Sequence, residues 1–206
     1  MRRWTAVTTA WLLLAVGPVV ATATAAHADG TYGGAGGSGG GDNIVSVDNR
    51  TDGSLLARSN PAGAVDDGAT VANQNIAYAH ATCTGCRTVA VAVQIVIVEG
   101  SGTDFRPTNA AVAVNENCNS CQTFAFARQF VLTPHRRVQL SDQTWRKLAQ
   151  LRQQMATESQ SLEPFAQMDA NLESLSQQMV AAVQADLQRS GDPGGEQGDH
   201  KVDERD

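Results

Sequence analysis

A period of two governs the hydrophobic pattern between Asn43 and Pro134, and a helical period replaces it after Ser141. In the stretch from Cys83 to Gly100, Thr88, Ala90, Ala92, Gln94, Val96 and Val98 fall on one side of an extended chain. Val89, Val91, Val93, Ile95 and Ile97 fall on the other. The stretch from Cys118 to Pro134 repeats this order: Thr123, Ala125, Ala127, Gln129 and Val131 oppose Phe124, Phe126, Phe130 and Leu132. Each strand therefore carries a small-residue face and a bulky face. The approaches to the two C-x-x-C motifs match as well, with Asn75, Ala77 and Ala79 before Cys83 and Asn109, Ala111 and Ala113 before Cys118.

Each copy reads as strand, C-x-x-C, strand, which is a β-hairpin turning on Thr84-Gly85 or Asn119-Ser120. A degenerate copy opens the region, with Ile44-Val45-Ser46-Val47, the turn Thr51-Asp52-Gly53-Ser54 and the return Leu55-Leu56-Ala57. In that copy Thr51 and Ser54 stand where the others have cysteine. A position that accepts Thr and Ser is a turn flank before it is a catalytic one.

After Ser141, a helix cap, Trp145, Leu148, Leu151 and Met155 form one helical stripe. A second runs through Phe165, Met168, Leu172, Leu175, Met179, Val183 and Leu187, with Pro164 suited to its first turn. The two are expected to form a helical hairpin over the bulky face of the sheet. The alternating three-and-four spacing of the second stripe also suits a partner helix or a helix-mediated oligomer. The expected class is α+β: repeated antiparallel β-hairpins forming a sheet, then a C-terminal helical hairpin.

The ends differ in composition. Residues 1–28 combine Arg2-Arg3, an apolar stretch from Trp4 to Val20 and the small-residue site Ala26-His27-Ala28, the layout of a cleaved secretory signal; retention as an anchor is the alternative. Residues 29–42 are a Gly-rich tether, 43–134 the hairpin-repeat region, 135–189 the helical region, and 190–206 a charged tail expected to be disordered. No later segment is apolar for long enough to span a bilayer as a helix. This layout points to a secreted or cell-surface protein.

Charge removes one class of partner. With 21 acidic against 15 basic residues and no Lys/Arg cluster, nucleic acid is not expected. The expected partner is a protein or another component of the cell envelope.

The four cysteines, Cys83, Cys86, Cys118 and Cys121, allow three readings. A dithiol oxidoreductase of the thioredoxin type needs a helix starting at its motif, whereas both motifs here run into Val- and Phe-rich strands. A C-x-x-C…C-x-x-C set can also hold one tetrahedral zinc. In an oxidising compartment, two cysteines flanking a tight turn favour disulfides, Cys83 with Cys86 and Cys118 with Cys121. The expectation is disulfides with no cofactor; zinc, or thiol redox chemistry, stays open as the alternative.

Other chemistry is sparse. His80 lies near the first motif and is a conceivable metal ligand, but no H-E-x-x-H, G-x-S-x-G or phosphate-binding glycine loop occurs. Asp104, Asp142 and Asp169 show no sequence partner, and Asn49-Arg50-Thr51 fits a glycosylation tripeptide. No catalytic residue is assigned.

The order N-x-A-x-A, C-x-x-C-x-T-x-A-x-A-x-Q, followed by Asn109 to Asn115 and a second C-x-x-C-x-T-x-A-x-A, resembles a repeat domain of exported actinobacterial proteins. Some of these carry the label of peptide zinc metalloprotease, because a similar segment accompanies site-2-type membrane peptidases. The resemblance spans residues 43 to 185 and implies export, with a role as accessory to a membrane zinc peptidase as a further alternative. It implies no protease activity here, since the zinc motif and the membrane spans of such a peptidase are missing. The expected function is a non-enzymatic structural or interaction module stapled by C-x-x-C disulfides.

Overall fold

The computed structural model describes residues 41–100, 104–192 and 194–206. The expected signal, and all but the last two residues of the expected tether, lie outside them. The chain runs β1 (Asn43–Asn49), β2 (Leu55–Asp66), β3 (Thr70–Val71), β4 (Gln74–Ala81), β5 (Arg87–Val98), β6 (Asp104–Phe105), β7 (Thr108–Asn115), β8 (Gln122–Thr133), α1 (Asp142–Ser159), α2 (Phe165–Arg189) and β9 (Gly195–Arg205). The class is α+β, and the two helices form a helical hairpin.

The strand pairing differs from the antiparallel hairpins expected. Each repeat does reverse at its C-x-x-C or Thr-Asp-Gly-Ser tip, but its two arms enter different sheets. Equivalent arms of successive repeats pair in parallel, β1-β4-β7 in one sheet and β2-β5-β8 in the other, with β3-β6 as a short third side. The result is a three-coil β-solenoid. Parallel pairing needs a long crossover, and each coil supplies one.

Register explains the preference. Stacking the coils puts Asn43 on Asn75 on Asn109, Ala90 on Ala125, Thr88 on Thr123 and Gln94 on Gln129. Like therefore lies on like. A hairpin ladder within one coil would break every one of these rows.

The small-residue faces of both sheets meet inside the solenoid. Ala90, Ala92, Ala125 and Ala127 pack against Val45, Val47, Ala77, Ala79, Ala111 and Ala113. Two amide rows cross this interior. Asn43 Nδ2 donates to Asn75 Oδ1 at 2.8 Å and Asn75 Nδ2 to Asn109 Oδ1 at 2.7 Å, while the same amides reach the opposite sheet at Val93 O, Ala92 O, Arg128 O and Ala127 O. Gln129 Nε2 donates to Gln94 Oε1 at 2.8 Å, and Gln94 Nε2 to Gly41 O at 2.7 Å. Buried amides need such partners.

The bulky face looks outward and is covered by the helices, as their apolar stripes imply. Val89, Val91, Val93, Ile95, Ile97, Phe124, Phe126, Phe130 and Leu132 share a core with Leu148, Leu151, Met155, Met168, Leu172, Met179 and Val183. Ser141 caps α1, its hydroxyl accepting from Thr144 N–H at 3.3 Å. Pro164 stands at the N-cap of α2, where its missing N–H costs nothing.

The charged tail, expected to be disordered, instead forms β9 antiparallel to β8. Ionic contacts hold it in place of a core. Lys201 Nζ lies 3.0 Å from Asp169, Arg205 Nη2 3.4 Å from Asp169, and Asp199 2.7 Å from Arg128. Carboxylates of Glu204 and Asp206 accept from the backbone N–H groups of Ala113 and Asn115 on β7. The tail thus caps both sheets at the last coil, where a solenoid exposes unpaired backbone.

Candidate functional site: the cysteine tip

Cys83 and Cys86 end the arms of the second coil, Cys118 and Cys121 those of the third. The sulfurs are joined within each tip, Cys83 to Cys86 and Cys118 to Cys121, across Cα separations of 6.0 Å and 5.9 Å. These lie within the range a disulfide spans. The tips stack because their backbones pair: Gly53 N–H donates to Thr84 O at 2.9 Å, Gly85 N–H to Asn119 O at 2.8 Å, and Thr84 bridges Asn119. All four Sγ atoms consequently lie within 4.8 Å of one another, a grouping compatible in size with a four-sulfur metal site. Cys86 Sγ and Cys121 Sγ are 3.4 Å apart.

The first coil shows what fills the same place without sulfur. The Ser54 hydroxyl donates to Asn49 Oδ1 at 2.8 Å, and Thr51 N–H donates to the same oxygen at 3.2 Å. Asn49 is 1% exposed and also donates to Arg87 O. The glycosylation tripeptide is therefore spent on closing the uncrosslinked tip.

Every tip places its third residue in the left-handed region: Gly53 at φ 66°, Gly85 at φ 62° and Ser120 at φ 57°. Glycine adopts this conformation without strain and serine does not. Ser120→Gly is expected to stabilise the protein by about 0.5 to 1 kcal/mol, read as a rise in Tm. Gly85→Ala, where open space surrounds the glycine, is expected to cost a comparable amount through the backbone alone. A fall in Tm for Ser120→Gly contradicts this account of the tip.

Arg87 ties the tip to the helices. Its guanidinium lies 3.9 Å above the Phe165 ring, donates to Gln122 Oε1 at 2.8 Å, and donates to Glu163 O at 2.6 Å in the turn between α1 and α2. Burial holds its pKa below the usual arginine range.

His80 does not join the sulfurs. Its Nδ1 lies 3.2 Å from Asp48 and its Nε2 3.2 Å from Glu116, so it links carboxylates of the first and third coils. Asp48 itself is held below the ordinary carboxylate value, first by the hydrogen bond from Arg50 and to a lesser extent by His80. Asp104 and Asp169 also have partners, Arg106 in the first case and Lys201 with Arg205 in the second.

No family model, no curated protein and no solved structure matches this chain. The site must be read from its own geometry. One concave feature elsewhere, a groove on the helical hairpin lined by Gln150, Gln154, Glu158, Asn171, Ser174 and Gln178 among others, includes none of the cysteines. It is rich in side-chain amides.

Sequence reasoning missed Arg128, which interrupts the bulky face yet is 6% exposed and pairs with Glu173 at 3.1 Å as well as with Asp199. Its partners come from α2 and β9, so no local signal announces them. Among the described residues no helix is long and apolar enough to cross a membrane.

Proposed function

We propose that this protein is a non-enzymatic structural or interaction module of the secreted or cell-surface kind, a β-solenoid whose cysteines act as covalent staples. The observation that carries this reading is the substitution of one closure for another. Disulfides close the tips of the second and third coils, and hydrogen bonds of Thr51, Ser54 and Asn49 close the first. The outer face of the β1-β4-β7 sheet supports the interaction half of the reading, with Ile44 58% exposed and Ile76, Tyr78, Val112 and Val114 half-buried beside it. A partner in the cell envelope is the expected occupant of such a module.

A second reading, a zinc-binding envelope protein, has one observation in its favour: the clustering of all four sulfurs. Mass measurement with and without thiol alkylation, together with metal analysis, separates the two. The module reading expects no alkylation without prior reduction, no bound metal, and a melting curve unmoved by a chelator. Four free thiols with one zinc per chain, and unfolding on chelation, would establish the other.

A further inference from the structure

We propose that the cysteine tip is a thiol–disulfide exchange site, in which an external dithiol reduces Cys118–Cys121 and the reduction then passes inward to Cys83 by attack of Cys121 on Cys86. The inference rests on the disulfides of the preceding reading. Exposure sets the point of entry. Cys83 and Cys86 are 3% and 2% exposed, covered by the neighbouring coils, whereas Cys118 and Cys121 are half-buried at the last coil. A reagent in solution meets the third-coil disulfide first.

Proximity sets the route inward. Cys86 Sγ and Cys121 Sγ are 3.4 Å apart, and Gln122 N–H donates to Cys86 O at 2.9 Å, so the two cysteines are neighbours in a parallel ladder. Adjacent strands run about 4.8 Å apart, and a disulfide accepts Cα separations of about 4.4 to 6.8 Å. A Cys86–Cys121 bridge therefore fits between the coils as they stand.

The first step moves two electrons and two protons. A thiolate of the dithiol attacks the Cys118–Cys121 bond, its second thiol releases the mixed disulfide, and the reagent leaves as a disulfide with both cysteines as thiols. The second step involves no net oxidation. The Cys121 thiolate attacks Cys86 Sγ, the Cys86–Cys121 bond forms as Cys83–Cys86 breaks, and Cys83 departs as a thiolate that takes up the proton Cys121 gave up. The product holds one inter-coil disulfide and thiols at Cys83 and Cys118. Once formed, the new bridge resists unfolding more than the one it replaces, because a bridge over a sequence separation of 35 constrains the unfolded chain more than one over a separation of 3. The half-buried Cys118 thiol is left at the last coil, within reach of a partner disulfide.

The test uses the full chain treated with limiting dithiothreitol, then alkylated and mapped by peptide mass. Label on Cys83 and Cys118 with a Cys86–Cys121 crosslink is the expected pattern. Label on Cys118 and Cys121 with Cys83–Cys86 intact overturns the relay, as does a Cys83–Cys118 crosslink. Two variants test the same step without reductant. Cys118→Ser leaves Cys121 unpaired, and the free thiol is expected to appear at Cys83; Cys121→Ser leaves Cys118 unpaired, and the thiol is expected to stay there. A thiol that stays at Cys121 in the first variant defeats the proposal while leaving the staples in place. Native protein with four thiols and zinc would instead remove the reading beneath it.

Discussion

A chain ended at Leu140 will aggregate instead of folding cooperatively. The cut removes α1, α2 and β9, and uncovers Val89, Val91, Val93, Ile95, Ile97, Phe124, Phe126, Phe130 and Leu132, all of them at most 2% exposed in the intact fold. Burying one such side chain is worth about 1.5 to 3 kcal/mol. Summed over this face, the loss reaches or exceeds the whole stability of an ordinary domain, about 5 to 15 kcal/mol. The solenoid interior does not compensate, because eight of the ten residues in its cluster are alanines, which bury little apolar area each. Loss of β9 adds an unpaired edge on β8, a template for association. Size-exclusion chromatography and a thermal melt of residues 29–140 against the full chain read the outcome. A monomeric fragment with a sharp transition would show that the coils hold themselves together and that the helical hairpin is an accessory arm. A second fragment ended at Asp192 separates the two causes: it keeps the helices, and is expected to stay folded but to associate more readily.

Much of this architecture was legible. Alternation separated the small face from the bulky one, the two stripes after Ser141 gave the helical hairpin, and turn spacing favoured the disulfide partners found. The direction of pairing was not legible from alternation, which describes the two faces of a strand and says nothing about its neighbours. A different signal was present in β5, whose residues from Thr88 to Val98 are all buried. A strand covered on both faces is typical of parallel sheets, and its run of apolar residues marks it. The recurrence of Asn75 at Asn109 and of Gln94 at Gln129 carried the same message, because identical polar residues satisfy one another when stacked in register.

The tail and Arg128 were illegible for another reason. Strand β9 has no aliphatic alternation, since ion pairs to Asp169 and Arg128 and ladder bonds to β8 hold it. Those partners are remote in sequence. The approach of Cys86 to Cys121 was hidden in the same way, because it follows from the parallel register and not from the spacing within either motif.

The row of asparagines offers the sharpest test of that register. Asn75 stands at the centre of the row: it accepts from Asn43 and donates toward Asn109 Oδ1, Ala92 O and Arg128 O, with both sheets drawing on one side chain that is 0% exposed. Asn75→Ala removes the donors and leaves buried carbonyl oxygens without them, at about 1 to 3 kcal/mol for each group left unsatisfied. The small cavity adds to this. The expected loss is about 2 to 4 kcal/mol, a fall in Tm of about 5 to 15 °C for a chain of this size. Ile76→Ala, one residue further on, alters a half-buried side chain on the outer face of the same strand and should cost well under half as much. The contrast matters more than either value, because antiparallel hairpins would leave Asn75 opposite no other asparagine and would make the aliphatic residue the costlier one to lose. If the two variants melt together near the parent, the amide row is not holding the coils in register, and the parallel solenoid loses its main polar support.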